Sequence, residues 1–151
     1  MTGEKSYERM TPVRAARLPR RWFVQCALAG LLTCGAAWGG SYLTRAALLV
    51  QGAEREAEAL RRRLADKDLA EVVHRVALAR VAAAREMLVP KDVAAAHPHV
   101  LLVLEAYERA ADGALRSDPE AFLVALARAR SETVTLRSVL KQLGWELPEA
   151  G

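Results

Sequence analysis

The feature that most constrains this 151-residue chain is a stretch without any charged residue, from Trp22 to Thr44. As a helix, its first 22 residues would be about 33 Å long, which matches a hydrocarbon core about 30 Å thick. Aromatic residues stand near both ends, with Phe23 beside Trp22 and with Trp38 and Tyr42 towards the other end. Such placement is typical of interfacial aromatic belts. We therefore predict one transmembrane helix over residues 22–44.

The basic residues predict the orientation of this helix. Residues 1–21 carry a net charge of +4, whereas residues 46–151 carry −1. Lysine and arginine flanking a membrane segment favour the cytoplasmic side. We expect a basic cytoplasmic tail over residues 1–21 and, in a bacterial inner membrane, a C-terminal domain in the periplasm. Because that domain is nearly neutral, it lacks the basic footprint that nucleic-acid binding requires, and we predict no nucleic-acid partner.

An export signal is the alternative interpretation of the same segment. Residues 19–25, Pro-Arg-Arg-Trp-Phe-Val-Gln, resemble the twin-arginine signal, although the family prefers a polar residue at Pro19 and a lysine at Gln25. Small residues at Gly35 and Ala37 would suit cleavage after Ala37. In that case the product is a soluble exported helical protein.

Four small residues in the segment predict helix packing within the membrane. Gly35 and Gly39 form a GxxxG pattern, and Ala36 and Gly40 repeat its spacing. Small residues four apart share one helix face and let two backbones approach closely. They indicate a possible homodimer.

The sequence after the membrane segment favours helix, because alanine, leucine and valine supply most of its apolar content. Residues 45–68 are densely charged, and apolar residues recur at heptad-like spacings of 3, 4, 3 and 4. These are Val50, Ala53, Ala57, Leu60 and Leu64. We predict a charged helical stalk, or short coiled coil, over residues 45–68.

Residues 69–146 are predicted to form a helical bundle, with residues 147–151 as a C-terminal tail. Pro90 interrupts the helical pattern, Pro98 suits the first turn of a new helix, and Ser117 or Asp118 is a candidate N-cap before Pro119. The last helix has a clear packing seam, and Gly144 follows it as a predicted C′ residue. The seam consists of Phe122, Leu126, Ala129, Thr133, Leu136, Leu140 and Leu143. The predicted fold is all-α, with a single N-terminal transmembrane helix, a stalk and a small antiparallel bundle.

A local resemblance supports one of these turns. Residues 110–120, Ala-Ala-Asp-Gly-Ala-Leu-Arg-Ser-Asp-Pro-Glu, resemble the end of a tetratricopeptide helix with its Asp-Pro turn. The resemblance covers about a dozen residues and has no second copy at the 34-residue period of that repeat. It implies a turn between two helices here.

Motifs with recognised chemistry are few. The His97-x-His99 pair is a weak candidate for metal binding, since a site needs a third and fourth ligand. The sequence has no nucleophile elbow, phosphate loop or zinc-protease motif. We therefore expect no catalytic residues, no cofactor and no enzyme activity. The leading hypothesis is a membrane-anchored scaffold that presents its helical domain to a protein partner in an envelope complex. A membrane-anchored periplasmic metal sensor using His97 and His99 is the alternative.

Overall fold

A computed structural model describes residues 34–148. This part of the chain contains four α-helices, one 3-10 helix and no strand. The helices are α1 (Cys34–Arg62), α2 (Lys67–Arg85), the 3-10 helix (Lys91–Ala96), α3 (His97–Leu115) and α4 (Pro119–Gln142). The prediction of an all-α helical bundle is confirmed. The predicted cytoplasmic tail, the first half of the predicted membrane segment and residues 149–151 lie outside the described residues.

The second half of the predicted membrane segment lies in α1. The backbone of Gly35, Ala36, Gly39 and Gly40 is helical, while the surroundings of their side chains lie outside the described residues. Among the helices of residues 34–148, none combines the length and the hydropathy that crossing a bilayer requires.

Helix α1 contributes directly to the core of the bundle. Among the residues of α1 whose burial the structure describes, core residues run from Tyr42 to Leu60, and they join one apolar cluster with residues of all the other helices. The heptad-like residues Val50, Ala53 and Ala57 belong to this cluster. The apolar residues between positions 50 and 60, whose spacing predicted a stalk, thus pack against other helices of the same chain.

A short turn reverses the chain between α1 and α2. The Asp66 carboxylate caps α2 by accepting a hydrogen bond of 2.9 Å from the Leu69 backbone N–H. Farther from the turn, the Arg80 guanidinium of α2 binds the Glu56 carboxylate of α1 through two hydrogen bonds, the longer of which is 2.6 Å. The two helices are therefore antiparallel, and the Arg80 side chain reaches α1 near Gly52 and Glu56.

Helices α3 and α4 form a tight hairpin. The chain leaves α3 through Ser117, whose φ of +59° is left-handed. The Ser117 and Asp118 N–H groups return hydrogen bonds to the carbonyls of Ala114 and Gly113, at 3.0 and 2.9 Å. This is the Schellman pattern. Asp118 then caps α4 by accepting from the Ala121 N–H at 2.9 Å, as predicted.

The predicted seam of α4 faces the core over most of its length. Phe122, Leu126, Ala129, Leu136 and Leu140 are buried, Thr133 is half-buried, and Leu143 is exposed. Leu143 turns outward because it is the C-cap, where the helix ends. Gly144 follows with a φ of +79° and completes a second Schellman turn, in which the Trp145 N–H donates to the Leu140 carbonyl at 2.9 Å.

Candidate functional site

The outer face of α4 carries large aliphatic side chains that the core does not cover. Leu123, Val124 and Val134 are 52%, 65% and 69% exposed. At 100° per residue, Leu123 and Val134 project within about 20° of each other on the helix, and Val124 lies to one side. We call these three residues and the charged residues of α4 around them the α4 face.

Basic residues dominate the charge of the α4 face. Arg128, Arg130, Arg137 and Lys141 stand against Glu120 and Glu132, which gives the helix a net charge of +2. The four basic residues are all exposed. Arg128 approaches Glu132 at 3.8 Å, and such exposed pairs add little to stability. These guanidinium groups are therefore available for contacts beyond the chain.

One groove borders the α4 face on the side of α1. It has a volume of about 610 Å³, and its lining is Glu54, Arg55, Glu58, Ala59, Arg62, Leu126 and Arg130. Arg61 binds Glu58 through two hydrogen bonds of 2.9 Å and lowers the pKa of that carboxyl group to about 2. Arg130 reaches the same carboxylate at 3.8 Å. The Glu58 carboxylate in the groove wall is therefore ionised at neutral pH.

A second groove borders the α4 face on the side of α3. Its volume is about 290 Å³, and its lining is Ala106, Arg109, Asp112, Arg116, Ala121, Val124, Ala125 and Arg128. Arg116 forms an ion pair with Asp112 at 2.8 Å, and the lining holds three arginines against this one carboxylate. The exposed Val124 thus lies beside a groove with a positive rim.

The polar residue of the seam, Thr133, is satisfied within α4. Its hydroxyl donates to the Ala129 carbonyl at 2.8 Å, as helical threonines commonly do. The Tyr107 side chain of α3 is buried, and burial raises the pKa of its phenol.

The structure separates the roles of the histidines. The Tyr42 hydroxyl lies 2.9 Å from His97 Nδ1, and burial lowers the pKa of His97. His97 and the Tyr42 hydroxyl are thus hydrogen-bonded to each other, and the tautomer of the imidazole sets which of the two groups donates. His99 Nδ1 is buried without a hydrogen-bond partner. His74 instead contacts Glu108, at 3.1 Å.

The structure does not complete a metal site around His97 and His99. Among residues 34–148, no three His, Cys, Asp or Glu side chains are arranged to hold a metal ion. His97 Nδ1 lies instead at hydrogen-bonding distance from the Tyr42 hydroxyl.

Sequence reasoning did not single out Leu123, Val124 and Val134. The periodicity of α4 identified only its buried seam. The sequence did contain an indication of this surface, because aliphatic residues occupy positions outside the seam, and such positions are usually polar on a solvated helix face.

Comparison of the chain with models of protein families, with curated proteins and with solved structures found no match.

Proposed function

We propose that this chain is a single-span membrane-anchored scaffold whose extracytoplasmic bundle binds a protein partner through the α4 face. The observation that carries the proposal is the combination on one helix of Leu123, Val124 and Val134 with four exposed basic residues. Single exposed aliphatic residues are normal on protein surfaces. Three of them on one helix provide apolar area, and the grooves on either side provide depressions into which a partner's side chains could fit.

The chemistry of the α4 face indicates what it would bind. Protein interfaces are enriched in arginine around an apolar centre, and complementary charge guides the encounter. We infer a partner surface with a small apolar patch and carboxylates around it. The partner's carboxylates would meet Arg128, Arg130 and Arg137, while Val134 would lie at the apolar centre.

The anchor is supported by the charge-free sequence of residues 22–44. The first buried core residue in the described part of α1 is Tyr42. Cleavage after Ala37 would spare every buried residue that the structure describes, so an anchored and an exported form would share those residues. The intact mass of the protein extracted from cells distinguishes them, because cleavage removes the first 37 residues.

Site-specific photo-cross-linking in living cells tests the α4 face. A benzoylphenylalanine at Val134 should give one discrete cross-linked species whose yield falls when Arg130 and Arg137 are both changed to glutamate. The matched control is the same amino acid at Val72, which is 57% exposed on α2. Equal products from the two positions, or none from Val134, would rule out the α4 face as the interface.

A further inference from the structure

The groove between α3 and α4 holds two guanidinium groups that no carboxylate neutralises directly. Three arginines line it, and the one carboxylate in its described lining, Asp112, forms its ion pair with Arg116 at 2.8 Å. Arg109 donates through Nε to a carbonyl of its own helix at 3.1 Å, so its two terminal nitrogens are left over. Arg128 lies 3.8 Å from the Glu132 carboxylate, which is beyond hydrogen-bonding distance. In the described part of the chain, Arg109 and Arg128 therefore have no hydrogen-bonded carboxylate.

The positive charge of this groove differs from the charge of the surrounding bundle. Its three arginines and one aspartate give a net charge of +2, whereas residues 46–151 as a whole carry −1. On the α1 side of α4, by contrast, the Glu58 carboxylate has three arginine side chains at 2.9 to 3.8 Å. A concave surface lined by one sign of charge concentrates the potential and attracts counter-ions. The α3 side of α4 is therefore where the bundle offers guanidinium groups to an anion.

Apolar side chains lie between these arginines. Ala121 and Ala125 are half-buried in the lining, and Val124 is exposed beside them. Because the two alanines are small, they leave a space of about 290 Å³. Small-molecule sites have volumes of about 300–1,000 Å³ and combine an apolar lining with a few polar groups that fix the ligand's orientation. This groove is at the lower end of that range, so its ligand would be small and partly apolar.

The two helices that carry the groove hold it in a fixed shape. A Cβ at Gly113 of α3 would stand 2.8 Å from the backbone nitrogen of Phe122 in α4, so the two backbones are already as close as they can be. The Schellman turn at Ser117 connects them directly. A site built on such elements is preorganised, and a ligand that binds there orders little of the protein.

We propose that the groove between α3 and α4 binds a small organic dianion, with its acidic groups on Arg109 and Arg128 and its apolar part against Val124. Two carboxylates or one phosphate monoester would supply the charge, because guanidinium groups bind both in a bidentate manner. The inference goes beyond the proposed protein contact, since Val134, the centre of that contact, projects about 120° away from Arg128 on α4.

Isothermal titration calorimetry of the full chain in an uncharged maltoside detergent tests the site. Benzylsuccinate and phenyl phosphate are the probes, and at slightly alkaline pH each has two negative charges and an aromatic ring. Succinate, which lacks the ring, and hydrocinnamate, which has one charge, are the matched controls. We expect at least one probe to bind about fivefold more tightly than both controls, and its affinity should fall as salt is added. The better probe shows whether the groove takes carboxylates or a phosphate.

Variants then locate the binding. Arg109→Gln and Arg128→Gln should each weaken the binding of the better probe about fivefold, because each removes one charge-assisted contact. Arg75→Gln, on the exposed surface of α2, changes the net charge by the same amount and should alter the affinity less than about twofold. The proposal is wrong if neither probe binds, if succinate or hydrocinnamate binds as tightly as the better probe, or if Arg75→Gln weakens binding as much as Arg128→Gln. Circular dichroism of each variant checks that the helices are retained.

Discussion

The two helix pairs of the bundle are held together by different kinds of contact. Between α3 and α4, the backbone itself is close, since a Cβ at Gly113 would stand 2.8 Å from the Phe122 backbone nitrogen. Between α1 and α2, the close contact is made by a side chain, because a Cβ at Gly52 would stand 2.8 Å from a terminal nitrogen of Arg80. A backbone contact cannot move without moving its helix, whereas the end of an arginine can. The first pair is therefore expected to tolerate substitution much less well than the second.

The largest expected effect is that of Gly113→Ala compared with Gly52→Ala. Both changes gain about 1 kcal/mol of helix propensity, so the difference between them reports packing. Overpacking in a tight core costs about 1–3 kcal/mol, and only Gly113 has backbone against it. We expect Gly113→Ala to be less stable than Gly52→Ala by about 2 kcal/mol in chemical unfolding of the full chain in detergent, followed by circular dichroism. Equal stability of the two variants would show that α3 and α4 are not packed more tightly at Gly113 than α1 and α2 are at Gly52.

The second prediction concerns the ion pair between Arg80 and Glu56. Their side chains are 17% and 30% exposed, so solvent screens them less than it screens a fully exposed pair. A double-mutant cycle of Arg80→Met and Glu56→Gln should give a coupling of about 1 kcal/mol. The control cycle uses Arg85 and Glu105, which are 3.0 Å apart but more exposed, with an expected coupling under about 0.5 kcal/mol. Similar couplings in the two cycles would show that Arg80 does not join α1 to α2 more firmly than a surface pair.

The third prediction is a gain in stability from Ser117→Gly. Ser117 holds a left-handed backbone conformation that glycine adopts without steric cost. We expect the variant to be about 0.5–1 kcal/mol more stable. Ser138→Gly, within α4, should instead lose a similar amount. If Ser117→Gly also loses stability, the turn between α3 and α4 is not the Schellman turn described above.

The smallest expected effect is a dependence of stability on pH at the contact between Tyr42 and His97. Because burial lowers the pKa of His97 from its ordinary value of 6.5, the unfolded chain binds a proton first as the pH falls. The free energy of unfolding should be constant in this respect above about pH 6.5 and should decrease as the pH falls through the folded-state pKa. His97→Gln should flatten this part of the profile in denaturant titrations. Tyr42→Phe, which keeps the ring, should retain the slope, and a flat profile in Tyr42→Phe would assign the effect to the hydrogen bond instead of burial.

Local rules predicted the boundaries of α4 well because caps depend on neighbouring residues. Asp118, one of the two predicted candidates, caps α4 before Pro119, and Gly144 follows its end. The turn between α1 and α2, in contrast, lies within the predicted stalk, and α2 already ends at Arg85, before Pro90. The all-α fold could be predicted because alanine and leucine favour helix.

Contacts between residues far apart in the chain could not be predicted from the sequence. The heptad-like spacing of Val50, Ala53, Ala57 and Leu60 is compatible with a partner helix from another chain or from the same chain. Only the fold shows that these residues are packed with α2, α3 and α4. The exposure of Val124 and Val134 likewise depends on which side of α4 the other helices cover.

The continuity of α1 has a mechanical consequence. It runs without a break or a proline from Cys34 to Arg62, a length of about 43 Å, and its core residues fix it within the bundle from Tyr42 onward. A continuous helix resists twisting, so it has no swivel between its first turns and the bundle. Rotation of the first described turns of α1 about the helix axis would turn the α4 face through the same angle. If two copies of α1 paired through Gly35 and Gly39, that pairing would therefore fix the directions in which the two α4 faces point.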